Sequence, residues 1–131
     1  MRPQFHAGFL WRATTVDIAV YSITNLQIAD AIIAAHRRGA TVRIITDRTM
    51  AGHKSSLIDE LVTAGIPVRT NRRHKIEHNK FAVFDNQRIV TGSYNWTTAA
   101  TKFNSENCIF LPLPAQEYSK RFEVLWNTYK K

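Results

Sequence analysis

HNKFAVFDNQRIVTGSYN, residues 78–95, is the stretch whose reading decides the fold. Residues 81–84 and 88–91 are two β-prone runs. Asp85, Asn86 and Gln87 between them are turn formers, so the stretch reads as two antiparallel strands joined tightly. His78 and Lys80 stand two apart where the first strand begins. Side chains at i and i+2 share a face, so imidazole and ammonium point the same way. Asp85 closes that strand. Ser93 and Asn95, after the second strand, are again two apart, and Gly92 lets the backbone approach a ligand closely. A histidine, a lysine, a hydroxyl and an amide on neighbouring strand ends suit a phosphate: the lysine supplies charge and the other two supply neutral donors.

Working outward, residues 4–13 place Phe5, Phe9 and Leu10 at helical spacing, and residues 16–22 read as a strand. Thr24 is expected to cap a helix over residues 25–38, with Leu26, Ile28, Ala29, Ile32, Ile33 and Ala35 inward and Gly39 as its stop. Residues 41–46 form the next strand. Arg48 and Lys54 flank a glycine-containing loop. Ser55 or Ser56 opens a helix through Leu57, Ile58, Leu61 and Val62 that ends at Gly65, and residues 67–70 form a short strand. Downstream, residues 96–102 read as a short helix and residues 106–111 as a strand. Pro114 starts an amphipathic helix with Phe122, Leu125, Trp126 and Tyr129 on its apolar side. This alternation predicts an α/β fold, a mixed β-sheet sandwiched between helices, as one domain over residues 1–131.

The 131 residues carry a net charge of +8, which favours polyanionic partners, nucleic acid or anionic lipid. Cys108 is the only cysteine, which excludes an internal disulfide and a cysteine-based zinc cage. No segment has the apolar length of a membrane span, and the start lacks the pattern of a signal peptide. The expectation is a chain without stable membrane association, cytoplasmic if the sequence is complete. A two-metal nuclease needs several converging carboxylates. Here Glu77, Asp85 and Glu106 are the acids around the hairpin, with a lysine among them. Lys80 then takes a metal's place in neutralising phosphate, no cofactor or metal is expected, and activity is expected in chelator.

The hairpin resembles the signature of the phospholipase D superfamily: His-x-Lys, four residues, Asp, six residues, Gly-Ser-x-Asn. His78, Lys80, Asp85, Gly92, Ser93 and Asn95 match every fixed position and spacing. Residues 19–24, 35–47, 65–68 and 104–107 are further similar to the small bacterial endonucleases of that superfamily. The resemblance implies a fold of this class in which the first family strand is missing here. It implies a homodimer, because single-copy members bring two signatures together at their interface. It implies that His78 of one subunit attacks phosphorus to form a phosphohistidine while His78 of the other protonates the leaving oxygen. Lys80, Ser93 and Asn95 are implied to hold the phosphate oxygens, Glu106 to orient the nucleophilic imidazole, and Asp85 either to serve the site or to hold the strand end locally.

The expected activity is a metal-independent, sequence-nonspecific endonuclease acting on DNA or RNA. The alternatives are a lipid phosphodiesterase, which needs an apolar rim or anchor, and a nucleic-acid-binding module without activity. Arg72, Arg73 and Lys75 form a basic run beside the site, read as a grip on the substrate backbone. His6, His36, His53 and His74 lack partner spacing and read as surface or packing residues. Trp11, Trp96 and Trp126 read as core or interface, and Cys108 as a small buried apolar residue.

Overall fold

The structure is a computed structural model and describes residues 12–71, 74–92, 108–111 and 115–130. In chain order the elements are β1 (Thr15–Val20), α1 (Leu26–Arg37), β2 (Thr41–Thr46), the four-residue α2 (Arg48–Ala51), α3 (Ile58–Thr63), β3 (Val68–Thr70), β4 (Lys80–Phe84), β5 (Arg88–Gly92), β6 (Cys108–Leu111) and α4 (Gln116–Thr128). The strands form one sheet in the order β3-β2-β1-β4-β5-β6. β1, β2 and β3 are parallel, as their helical crossovers require, while β4, β5 and β6 are antiparallel. This is the expected mixed sheet between helices.

Strand alternation splits the interior in two. Val16, Ile18, Val20, Val42, Ile44, Ala82, Phe84 and Val90 face α1 and α3, meeting Ile28, Ile32 and Leu61. Ala19, Ile45, Phe81, Val83 and Ile89 face α4, meeting Phe122, Leu125, Trp126 and Tyr129. Arg43 ties α4 to the sheet. Its guanidinium pairs with Asp17 at 2.9 Å and with Glu123, and it lies over the rings of Phe122 and Trp126.

Several sequence expectations need correction. Asn25, not Thr24, caps α1: its side chain accepts from the Ile28 N–H at 3.1 Å, which satisfies a donor in the first turn. Leu26 is exposed rather than inward, 62%, because it falls on the solvent side of its helix, as Val62 does on α3 at 51%. Ile33 is only partly buried. The loop expected after β2 contains α2, which Asp47 caps by accepting from the Met50 N–H at 3.1 Å. α3 starts at Ile58, with Leu57 rather than a serine at the cap position and outside the helix; Ser56 Oγ, one residue earlier, still accepts from the Ile58 N–H at 3.1 Å. Gly39 follows α1 with φ +107, a conformation that suits glycine, as its place after the helix suggested. Residues 4–11 of the first expected helix and all of residues 96–102 lie outside the described residues.

The hairpin turn explains Asp85. Asp85 and Asn86 have φ of 56° and 57°, the left-handed pair that a tight hairpin demands and that Asp and Asn tolerate. Asp85 Oδ1 accepts from the Thr14 N–H at 2.7 Å, the Thr14 hydroxyl at 2.8 Å and the Thr15 N–H at 2.9 Å. Partial burial works against its charge. The Thr15 and Thr14 donors and nearby Arg88 outweigh that and hold the carboxyl below its ordinary pKa. A depressed folded pKa contributes stability present above about pH 4, the unfolded value, and lost as pH falls through the folded value. Asp85→Asn keeps the turn geometry and an acceptor but removes the charge. It should cost about 1 kcal/mol in urea unfolding at pH 7. That difference should shrink below about pH 4; an equal difference at pH 7 and pH 3 would show that the charge contributes nothing.

Candidate active site at the carboxyl edge of the sheet

Parallel strands β1 and β2 end where antiparallel β4 begins, with Val20 opposite Lys80, and β5 ends at the same edge, with Thr91 opposite Phe81. Between β1 and β4 the strand order reverses. Crevices outside the carboxyl ends of strands at such reversals are favoured ligand sites in α/β folds. Tyr21 follows β1 and His78 precedes β4, so the two flank that crevice. Their ring centroids are 4.8 Å apart at 57°.

His78 is exposed and Lys80 partly so. Lys80 Nζ lies 2.9 Å from His78 Nδ1, 3.3 Å from Nε2 and 2.9 Å from the His78 carbonyl, and sits 5.8 Å from the Tyr21 ring centroid. An ammonium only donates, so the ring offers it a lone pair. Imidazole and ammonium therefore converge on one spot, as the i, i+2 spacing predicted. Around them opens a cleft of about 420 Å³, within the size range of ligand sites. Asn79, Phe81 and Thr91 line it from the sheet, and Glu117, Tyr118 and Arg121 from α4.

The other expected site residues divide. Asp85 sits at the opposite end of β4 and is occupied with Thr14 and Thr15, the local role the sequence left open. Lys75 is exposed, outside the cleft lining, in a loop whose carbonyls at His74 and Lys75 accept from Asn71 Nδ2 at 2.8 and 3.2 Å. Arg72, Arg73, Ser93, Asn95 and Glu106 lie outside the described residues. The strand ends adjoining the last three are at this edge, however, since Gly92 pairs with Cys108.

Sequence reasoning missed the layer beneath His78. Glu77 is buried, 2% exposed, and accepts from Tyr129 OH at 2.7 Å. Burial, then the hydrogen bond and charge of Glu77, push the Tyr129 hydroxyl above its ordinary pKa. His74 Nδ1 is 2.9 Å from the same hydroxyl, so His74 is joined to this layer rather than being an uncommitted surface ring. Tyr129 was legible only as an apolar helix position. Arg121 was missed because its helix reads simply as amphipathic; no ion pair or hydrogen bond engages it among the described residues.

Residues 12–126 match the family model described as cardiolipin synthase, PLD-like domain. This chain belongs to the phospholipase D superfamily of hydrolases. Among curated relatives of this superfamily, the mitochondrial cardiolipin hydrolase of Chlamydomonas reinhardtii is 38% identical over 125 residues, covering 93% of this chain and 56% of that protein. The mitochondrial cardiolipin hydrolase of Danio rerio is 34% identical over 116 residues, covering 86% and 51%. The chain thus spans about half the length of these curated relatives. Among solved structures, the phospholipase D family member Nuc from Salmonella typhimurium superposes with TM-score 0.90 at 28% identity, covering 97% of this chain and 88% of that one. NucT from Helicobacter pylori gives 0.89 at 25%, covering 95% and 87%. Among the described residues no helix is long and apolar enough to cross a membrane.

Proposed function

We propose that this phospholipase D-like chain is a metal-independent phosphodiesterase that cuts nucleic-acid backbones as a homodimer. The observation that carries the reading is the Lys80 ammonium held against the exposed His78 ring in an open cleft. A bound phosphate oxygen takes the ring's place as acceptor for Lys80, which frees the imidazole lone pair to attack. In the first step a His78 nitrogen forms a bond to phosphorus as the bond to the leaving oxygen breaks, and the partner copy's imidazolium gives that oxygen its proton. In the second step water attacks the phosphohistidine, loses a proton to the same partner imidazole and releases the first ring. Exposure of His78 leaves room for a second copy, and Ile76, a large apolar side chain 52% exposed two residues earlier, suits a covered rim.

Nucleic acid is favoured as substrate by the net charge of +8, by the similarity to small bacterial endonucleases, and by the cover of nearly the whole length of Nuc and NucT. The names of the curated relatives favour a second reading, hydrolysis of cardiolipin. A panel of single-stranded DNA, duplex DNA, RNA and cardiolipin vesicles, assayed in EDTA, separates them. The expected result is cleavage of nucleic acid in chelator. Turnover of cardiolipin alone replaces the nuclease reading with the lipid one, and loss of all turnover until magnesium is added removes the metal-independent mechanism.

Arg121 extends the cleft's positive charge beyond Lys80, on the same wall as Glu117, which lies 4.0 Å from Lys120. On this reading it grips a backbone phosphate. Arg121→Ala should raise KM for an oligonucleotide roughly threefold to tenfold and lower the slope of log binding against log salt by about one. An unchanged salt slope would place Arg121 off the substrate's path.

A further inference from the structure

The residues on either side of His78 are tied to one buried carboxylate. Glu77 Oε2 accepts from the Asn79 N–H at 3.1 Å and from Asn79 Nδ2 at 2.6 Å, while Oε1 accepts from Tyr129 OH. The Glu77 N–H in turn donates to Asp47 Oδ1 at 3.0 Å. Asp47 is 3% exposed, and its other oxygen caps α2. Asn71, also buried, joins the same layer: its Oδ1 accepts from the Arg48 N–H at 2.7 Å and its amide holds the loop before His78. The segment bearing the imidazole is therefore anchored to the end of β2, to the carboxyl end of α4 and to the turn after β3.

Burying carboxylates is costly unless donors converge on them, and neither Glu77 nor Asp47 has a cationic partner among the described residues. Three donors converge on Glu77 and offset that cost. An exposed loop would otherwise sample many backbone conformations. A nucleophile misplaced by about 1 Å loses on the order of a hundredfold in rate.

We infer that Glu77, braced by Asp47 and Tyr129, is the positioning residue for His78, fixing the backbone at 77 and 79 so that the imidazole stands ready beside Lys80. Glu77 touches no substrate. The inference rests on the phosphodiesterase reading and is indifferent to whether the substrate is nucleic acid or lipid.

Glu77→Gln tests it, since glutamine still accepts from Tyr129 but turns an amide towards the two Asn79 donors. With bis(p-nitrophenyl) phosphate, kcat should fall roughly tenfold to a hundredfold with KM within about twofold. Ile44→Val, a core change chosen for a comparable fall in Tm, should keep kcat. Tyr129→Phe removes one hydroxyl without altering ring packing and should move kcat in the same direction by less, which covers the case of an unfolded Glu77→Gln. Amide exchange at Asn79 should quicken in Glu77→Gln, a readout independent of turnover. Wild-type protein inert towards every phosphodiester removes the functional reading while exchange still decides the brace. The inference is overturned if Glu77→Gln loses no more kcat than Ile44→Val, if its loss lies wholly in KM, or if Asn79 exchange is unchanged.

Discussion

Replacing His78 by alanine should lower kcat on an oligonucleotide at least about a thousandfold, in the presence of EDTA, with little change in Tm. Proton-transfer roles alone are worth on the order of 10²–10⁴, and loss of a covalent nucleophile adds to that. His78 is exposed, so truncating it removes little packing and the fold should survive. The same variant tests the dimer. Mixed dimers of wild type and His78→Ala should be inactive, because the proposed mechanism draws one imidazole from each copy. Mixed dimers that retain half the wild-type activity would remove the shared site. A His78→Ala protein that degrades nucleic acid at the wild-type rate would remove His78 from the chemistry. A wild type that binds nucleic acid and cuts nothing would leave only a binding module.

The second large effect is on stability. Phe122 is fully buried, its ring stacked on Trp126 at 5.9 Å and 16°, with the Arg43 guanidinium 4.9 Å from its centroid. Phe122→Ala should cost about 3–5 kcal/mol, the usual loss for a large core ring. That is a large part of the total stability of an ordinary domain. For a chain of this size the melting temperature should fall by roughly 10–20 °C. Function should suffer early, because Phe122 holds α4 to the sheet and α4 carries Tyr129 and Arg121. Activity should therefore decline at a lower temperature than global unfolding. A fall in Tm below about 3 °C would mean that Arg43, Leu125 and Trp126 suffice to seat the helix.

How much of this was legible in the sequence depended on the range of the interaction. The hairpin could be read because its determinants are local: apolar alternation, two turn formers and the i, i+2 spacing of His78 and Lys80. β2 matched the expected residues 41–46 in full because its β-branched run is bounded by Gly39 and Asp47. The α1 cap was misplaced by one residue because Thr24 and Asn25 are both competent caps and only the backbone chooses. α2 was missed because four residues carry no periodicity. Glu77 was visible only as one of too few acids to hold metals. Its partners Asp47 and Tyr129 are 30 and 52 residues away, and no spacing rule connects them.

The far end of β4 has a practical use. Strand rise of about 3.4 Å per residue puts the Asp85–Gln87 turn on the order of 15 Å from Lys80. Gln87 is exposed there, past the left-handed pair, and its side chain makes no hydrogen bond among the described residues. A fluorophore or a surface tether attached at Gln87 would leave the crevice open, so that single molecules could be immobilised and watched while they turn over.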